Sequence, residues 1–159
     1  MLLVISPCLV NGQQGHLSMF QNLVNKTWVA EGQWENNGPK FKQEITFSFD
    51  LENTLVIVDS KGFINPEQTL YGHRNHGVRQ FDASANTMRF WEFDVFGNVT
   101  QGTVLSEGKN ILYNYTYGGA VLTDMWEYVD DKTYNFKVGT YKDGKWEKMY
   151  LNTMFKVKE

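Results

Sequence analysis

The residues best equipped for chemistry crowd into Tyr71 to Gly102, which holds two of the three histidines, three arginines and Trp91. Read as a strand with alternating side chains, this region puts Tyr71, His73, Asn75, Gly77, Arg79 and Phe81 on one face. Leu70, Gly72, Arg74, His76, Val78 and Gln80 fall on the other. The first set is the more aromatic and is expected to face inward. Arg79 then carries the sharpest chemistry. A guanidinium in an apolar interior must be paired or must meet an anionic ligand, because an isolated buried charge costs several kcal/mol. Glu92 and Asp124 are the internal candidates for that pairing. The alternative is an outward, solvated Arg79, since the face assignment rests on pattern alone.

His73 and His76 are three residues apart, so an unbulged strand points them to opposite faces, where they cannot hold one metal ion; a bulge between them would change this. His73 is read either as a hydrogen-bonded histidine in the barrel wall or as a ligand-orienting group. Glu92 and Asp94 share a strand face, a spacing equally common on wet faces. Trp28, Trp34, Trp91, Trp126, Tyr71, Tyr113 and Tyr128 offer large amphipathic surfaces, suited to a pocket or to plain core. No Gly-x-Ser-x-Gly elbow, phosphate loop or zinc-protease helix occurs. The expected ligand-binding set is Trp28, Trp34, Tyr71, His73, Asn75, Arg79, Glu92, Asp124 and Trp126. No catalytic residue, metal ligand or cofactor is assigned.

The elements that must position these residues follow from periodicity. Leu17, Phe20, Leu23 and Val24 recur at helical spacing within 16–25, predicting a short helix. From Thr27 the period changes to two, with Trp28, Ala30, Gly32 and Trp34 on one side. Phe41, Gln43, Ile45, Phe47 and Phe49 alternate with polar residues in the clearest strand of the chain. A β-branched run spans 54–59, and 61–68 reads as a longer loop with Gly62, Asn65 and Pro66. The central stretch divides into three strands joined at 82–86 and 96–98, and four more strands follow, broken by Gly108-Lys109-Asn110, Gly118-Gly119, Asp130-Asp131-Lys132 and Asp143-Gly144. The pattern predicts an all-β, up-and-down antiparallel meander of about ten strands with no crossover helix. Left open, such a sheet would wet its apolar face and leave two edges unpaired, so closure into a barrel with room inside is expected.

At 159 residues the chain suits one domain. Residues 1–14 read as the remnant of a secretory signal, apolar and then polar but without a basic start, the alternative being a merely hydrophobic terminus, and 15–159 as a single barrel. A periplasmic or secreted location follows as an expectation. The apolar run is too short to span a bilayer. Cys8, the one cysteine, falls inside it, so the remaining chain has no thiol for a disulfide, a nucleophile or a metal site. Proline beside Cys8 departs from a lipidation box. A net charge of −3 without a basic run predicts no nucleic-acid partner. Asn25, Asn98 and Asn114 open Asn-x-Thr sequons, relevant only to a eukaryotic secretory route.

A short helix, a strand carrying Trp28-x-x-x-Gly32-x-Trp34 and an aromatic-rich meander together resemble the calycin superfamily of lipocalin-like and fatty-acid-binding-protein-like barrels. Gly77 to Asp82 and Arg89 to Asp94, followed by Gly97 and Gly102, resemble the middle strands of bacterial lipocalin-like domains. The likeness runs from Leu17 to Val157. It implies a barrel closed at one end by the N-terminal helix, with a ligand in the lumen. Nitrobindin-type members hold haem through a late histidine, whereas this chain has none after His76. The expected function is binding of a small apolar or aromatic molecule, with Arg79 meeting a carboxylate where the ligand carries one. The family also contains barrel enzymes, so an isomerase, cyclase or lyase using His73 or Glu92 as acid or base is the alternative. A ligand-free interaction module with a packed lumen is a third.

Overall fold

The computed structural model describes residues 15–159. A helical turn over 15–20 ends in the 3-10 segment Ser18–Phe20. Ten strands follow: β1 (Thr27–Gln33), β2 (Lys40–Asp50), β3 (Leu55–Phe63), β4 (Tyr71–Asp82), β5 (Thr87–Asp94), β6 (Val99–Glu107), β7 (Asn110–Tyr117), β8 (Ala120–Asp130), β9 (Thr133–Lys142) and β10 (Lys145–Val157). Each pairs antiparallel with its sequence neighbours, and β1 closes the ring on β10 through Trp28 opposite Val157 and Val29 opposite Lys156. The expected all-β, up-and-down antiparallel barrel is what forms, an architecture compatible with a lipocalin-like fold. Closure removes the two free edges that an open meander would expose. Among the described residues no helix is long and apolar enough to cross a membrane. The proposed signal remnant and Cys8 lie outside the described residues.

Local chemistry explains the meander. In β2, Phe41, Ile45 and Phe47 are buried while Lys40, Lys42, Thr46 and Ser48 are exposed, so one face meets the core and the other water. Asp143 and Gly144 both take positive φ, 50° and 77°, as a two-residue hairpin turn requires; Gly118 and Gly119 do the same between β7 and β8.

Two boundaries differ from the sequence pattern. The helix stops at Phe20 instead of continuing to residue 25, because Asn25 adopts a left-handed φ of 60° and Val24 forms an isolated parallel bridge to Phe47. Leu17, Phe20, Leu23 and Val24 are nevertheless all buried. The loop expected over 61–68 is shorter, since Lys61, Gly62 and Phe63 continue β3 opposite His73, Gly72 and Tyr71.

The helical turn plugs one end of the barrel. Its Leu17 and Phe20, with Leu23, Trp28, Tyr134 and Phe155, are each at most 1% exposed. Trp28 meets Tyr134 edge-on with ring centres 5.3 Å apart, and its Nε1–H donates to the Leu23 carbonyl at 3.0 Å, tying the plug to β1. The opposite half of the interior is not filled in this way.

Candidate functional site

Above the plug the lumen is a cavity of about 750 Å³. Its mouth lies at the end opposite the helical turn, among Trp34 and Glu35 after β1, Tyr117 at the end of β7, Gly118, Ala120 of β8 and Tyr150 of β10. Trp126 forms much of the floor, stacked on Phe155 at 4.4 Å and edge-on to Phe47 at 5.5 Å and Phe136 at 5.6 Å. The wall has two characters. The arc from β9 through β1 to β3 presents Phe41, Ile45, Val58, Phe136 and Val138 with Gln43 among them, whereas the arc from β4 to β8 presents Asn75, Arg79, Glu92, Thr100, Tyr113, Tyr115 and Asp124. An apolar cavity with a few convergent polar groups is the usual form of a small-molecule site.

Arg79 anchors the polar arc and is 5% exposed. Its Nη2–H donates to Glu92 Oε2 at 2.6 Å, and its Nε–H donates to the Tyr113 hydroxyl at 3.4 Å. The guanidinium also lies over the rings of Phe90 and Tyr113, at 5.6 and 5.1 Å. Burial would pull its pKa down, but the Glu92 carboxylate and the Tyr113 phenol reverse that and hold it charged, above its ordinary value. The third nitrogen, Nη1, is buried with no hydrogen-bond partner among the described residues. It lies against Gly77, where any Cβ would overlap both Nη1 and Glu92 Oε2. Gly77 is therefore the residue that lets the pair lie flat on β4.

Asp124 sits on β8 opposite Tyr113 of β7. Its Oδ1 accepts the Tyr115 hydroxyl at 2.9 Å. Burial pushes its carboxyl up to about 7; the Tyr115 bond and Arg79 pull against this and the Glu92 charge adds to it. Burial likewise raises the Tyr113 and Tyr115 phenols, so both stay protonated donors. The lumen thus holds one ion pair and one carboxyl poised between its two states near neutral pH. Asn75 Oδ1 and Ser60 Oγ, opposite each other on β4 and β3, are also buried without a hydrogen-bond partner among the described residues.

Six of the nine residues expected to bind a ligand line this cavity: Trp34, Asn75, Arg79, Glu92, Asp124 and Trp126. The other three do not. Trp28 is in the packed core below the floor, fully buried. Tyr71 and His73, expected to share the inner face with Arg79, lie on the outside of the barrel. The cause is a register shift: Ser60 pairs with Asn75 but the next residue, Lys61, pairs with His73, leaving Arg74 as an extra residue in β4. Side chains before it consequently change face. Tyr71 ends up over Lys42 and edge-on to Phe63, and the Arg74 guanidinium reaches the Phe63 carbonyl. His76 follows the bulge and lies outside by its alternation with Asn75 and Gly77; its Nδ1 meets Asp59 Oδ1 at 2.7 Å. Among the described residues no cluster of three His, Cys, Asp or Glu side chains could hold a metal ion.

Tyr115, Phe90 and Phe136 are cavity residues that the expected set lacks. The alternation Ile111, Tyr113, Tyr115, Tyr117 carried the signal for Tyr115, since Tyr113 and Tyr115 must share a face.

No protein-family model matches this chain, and no curated protein matches it.

Proposed function

We propose that the barrel binds a small molecule with an aromatic or apolar body in its lumen, as a lipocalin-like relative of the calycin superfamily would. The observation that carries this is the 750 Å³ cavity, open at one end, floored by Trp126 and walled by aromatic and aliphatic side chains. That volume falls in the range of drug-sized ligand sites, roughly 300–1,000 Å³. A ligand-free module would need those walls to meet, and they do not. Affinity comes mainly from burial against Phe41, Trp34, Trp126 and Phe136; Asn75, Glu92 and Asp124 orient the polar end. Residues 1–14 acting as a secretory signal, and hence a periplasmic or secreted location, belong to the same proposal.

Tryptophan emission tests the proposal directly, because Trp34 and Trp126 both line the cavity. The chain starting at Gly15 should show saturable, one-site binding of 2-naphthylmethanol, measured by calorimetry and followed by tryptophan emission on competition with an aliphatic alcohol. Absence of any saturable binding by aromatic or aliphatic probes up to their solubility limits would remove the lumen as a binding site.

A second function, a barrel enzyme of the isomerase, cyclase or lyase type, is favoured by one observation: the Asp124 carboxyl, hydrogen-bonded to Tyr115, sits at the protonation balance that general acid–base catalysis uses at neutral pH. His73 is on the outer face and cannot serve such a site. Any turnover should then disappear in Asp124→Asn and persist in His73→Gln.

A further inference from the structure

We propose that the lumen selects ligands with a positively charged end, an aromatic or apolar amine whose ammonium group is held by Asp124 and the free edge of Glu92. The inference rests on the lumen-binding proposal above and adds the sign of the ligand's charge. Charges facing the cavity decide it. Arg79 is the one cation among the lining residues, against the carboxylates of Glu35, Glu92 and Asp124. Glu35 at the mouth already pairs with Lys148 at 3.2 Å, and Glu92 pairs with Arg79. Asp124 has no cationic partner within ion-pair distance among the described residues.

The available hydrogen-bonding atoms point the same way. Arg79 has two of its nitrogens engaged by Glu92 and Tyr113, and its third is buried against Gly77, shielded from the cavity. A carboxylate entering the lumen would therefore find Arg79 already held by Glu92, with only the second N–H of Nη2 left to it, and would face Glu92 and Asp124. An ammonium would meet acceptors: Arg79 uses only Oε2 of Glu92, and Tyr115 uses only Oδ1 of Asp124. The rings of Tyr115, Trp126 and Trp34, which also line the cavity, add π-systems that attract cations.

Protonation couples to such binding. The groups facing Asp124 are Tyr113 and Tyr115 of β7, Glu92 of β5 and Arg79 of β4, while β9 contributes Phe136 and Val138, which do not titrate. With its carboxyl near 7 in the empty barrel, Asp124 is mostly neutral below that pH and must lose a proton to hold an ammonium. Amine affinity should therefore rise by about tenfold from pH ~6 to pH ~8, with proton release on binding at the lower pH. A carboxylate ligand would show the reverse trend and a neutral one almost none.

Three isosteric probes separate the possibilities: 2-naphthylmethylamine, 2-naphthylmethanol and 2-naphthoate, titrated by calorimetry into the chain starting at Gly15 at both pH values. The expected result at the higher pH is amine binding at least about tenfold tighter than the alcohol, and naphthoate weakest. Asp124→Asn, which keeps an acceptor for Tyr115, should bring the amine to the level of the alcohol and flatten its pH dependence. Arg79→Met should tighten the amine further by releasing Glu92, and it keeps the test decisive if the Asp124 variant fails to fold. Equal binding of all three probes, or tighter binding of naphthoate, overturns the charge preference and leaves the lumen as a binding site. Binding of none overturns both.

Discussion

The Arg79–Glu92 pair should respond very differently to removal of its two members. The side chains are 7% and 20% exposed, and the 2.6 Å contact gives a gross attraction of about 6 kcal/mol at an effective dielectric of about 20. Desolvation of the two ions offsets most of this, so the intact pair is close to neutral for stability. In Glu92→Gln the guanidinium stays where it is, surrounded by Phe90, Tyr113 and the Gly77 backbone, with its charge uncompensated. Breaking a buried pair in this way costs about 3–5 kcal/mol, and the lower end applies because the glutamine oxygen still accepts a hydrogen bond. Arg79→Met instead deletes the charge that is hardest to solvate. Methionine retains contact with Phe90 and Tyr113, and Glu92 faces a cavity open to water, so the loss should be about 1 kcal/mol. Urea unfolding followed by tryptophan emission measures both variants; with a slope near 2 kcal/mol per M, their midpoints should differ by about 1 M, at unchanged slope. The double variant should resemble Arg79→Met alone. Glu92→Gln within about 0.5 kcal/mol of the parent, or Arg79→Met costing more than Glu92→Gln, would refute the account of Arg79 as a buried charge held by one carboxylate.

Further outcomes follow from other parts of the barrel. Asp124 is protonated more readily folded than unfolded, so it favours the folded state at low pH and loses that contribution as pH rises from about 4 through about 7. Asp124→Asn should therefore match the parent near pH 4 and exceed it in thermal midpoint above pH 7; a parent-to-variant difference that does not change with pH would refute this. Gly77→Ala should push the guanidinium off β4 and cost about 1–3 kcal/mol, visible in the same urea assay and relieved in the Gly77→Ala, Arg79→Met double variant. Trp28→Phe removes the bond to the Leu23 carbonyl and should cost about 1–3 kcal/mol; faster proteolysis at the helical turn would report the loosened plug, and unchanged cleavage would speak against it. His73→Gln, on the outer face, should leave the binding of all three naphthyl probes within about twofold of the parent, and a larger change would place His73 nearer the lumen than its bulged strand allows.

The amino-acid sequence by itself determined the architecture. Period-two alternation in residues 41–49, turn residues such as Asp143-Gly144, and the absence of any crossover helix specify an antiparallel meander, and the unpaired edges of so long a sheet specify closure. Helical spacing also marked Leu17, Phe20, Leu23 and Val24 as the apolar side of a short helix, although not where that helix would end. Alternation even placed Asn75, Gly77 and Arg79 on one face. It could not follow that face past Arg74, because a bulge is set by pairing with the neighbouring strand and leaves no mark on a single strand's periodicity; Tyr71 and His73 lie on the outside for this reason. Nor could it distinguish Trp28 from Trp34, which have the same parity along the chain but sit at different depths, one in β1 under the floor and the other just past its end at the mouth. Which carboxylate Arg79 takes was likewise a matter of tertiary structure. Glu92 is two residues from Arg79's own β5 partner, Phe90, and directly opposite Gly77, whose missing side chain leaves the room for the pair, and this leaves Asp124 without a cation.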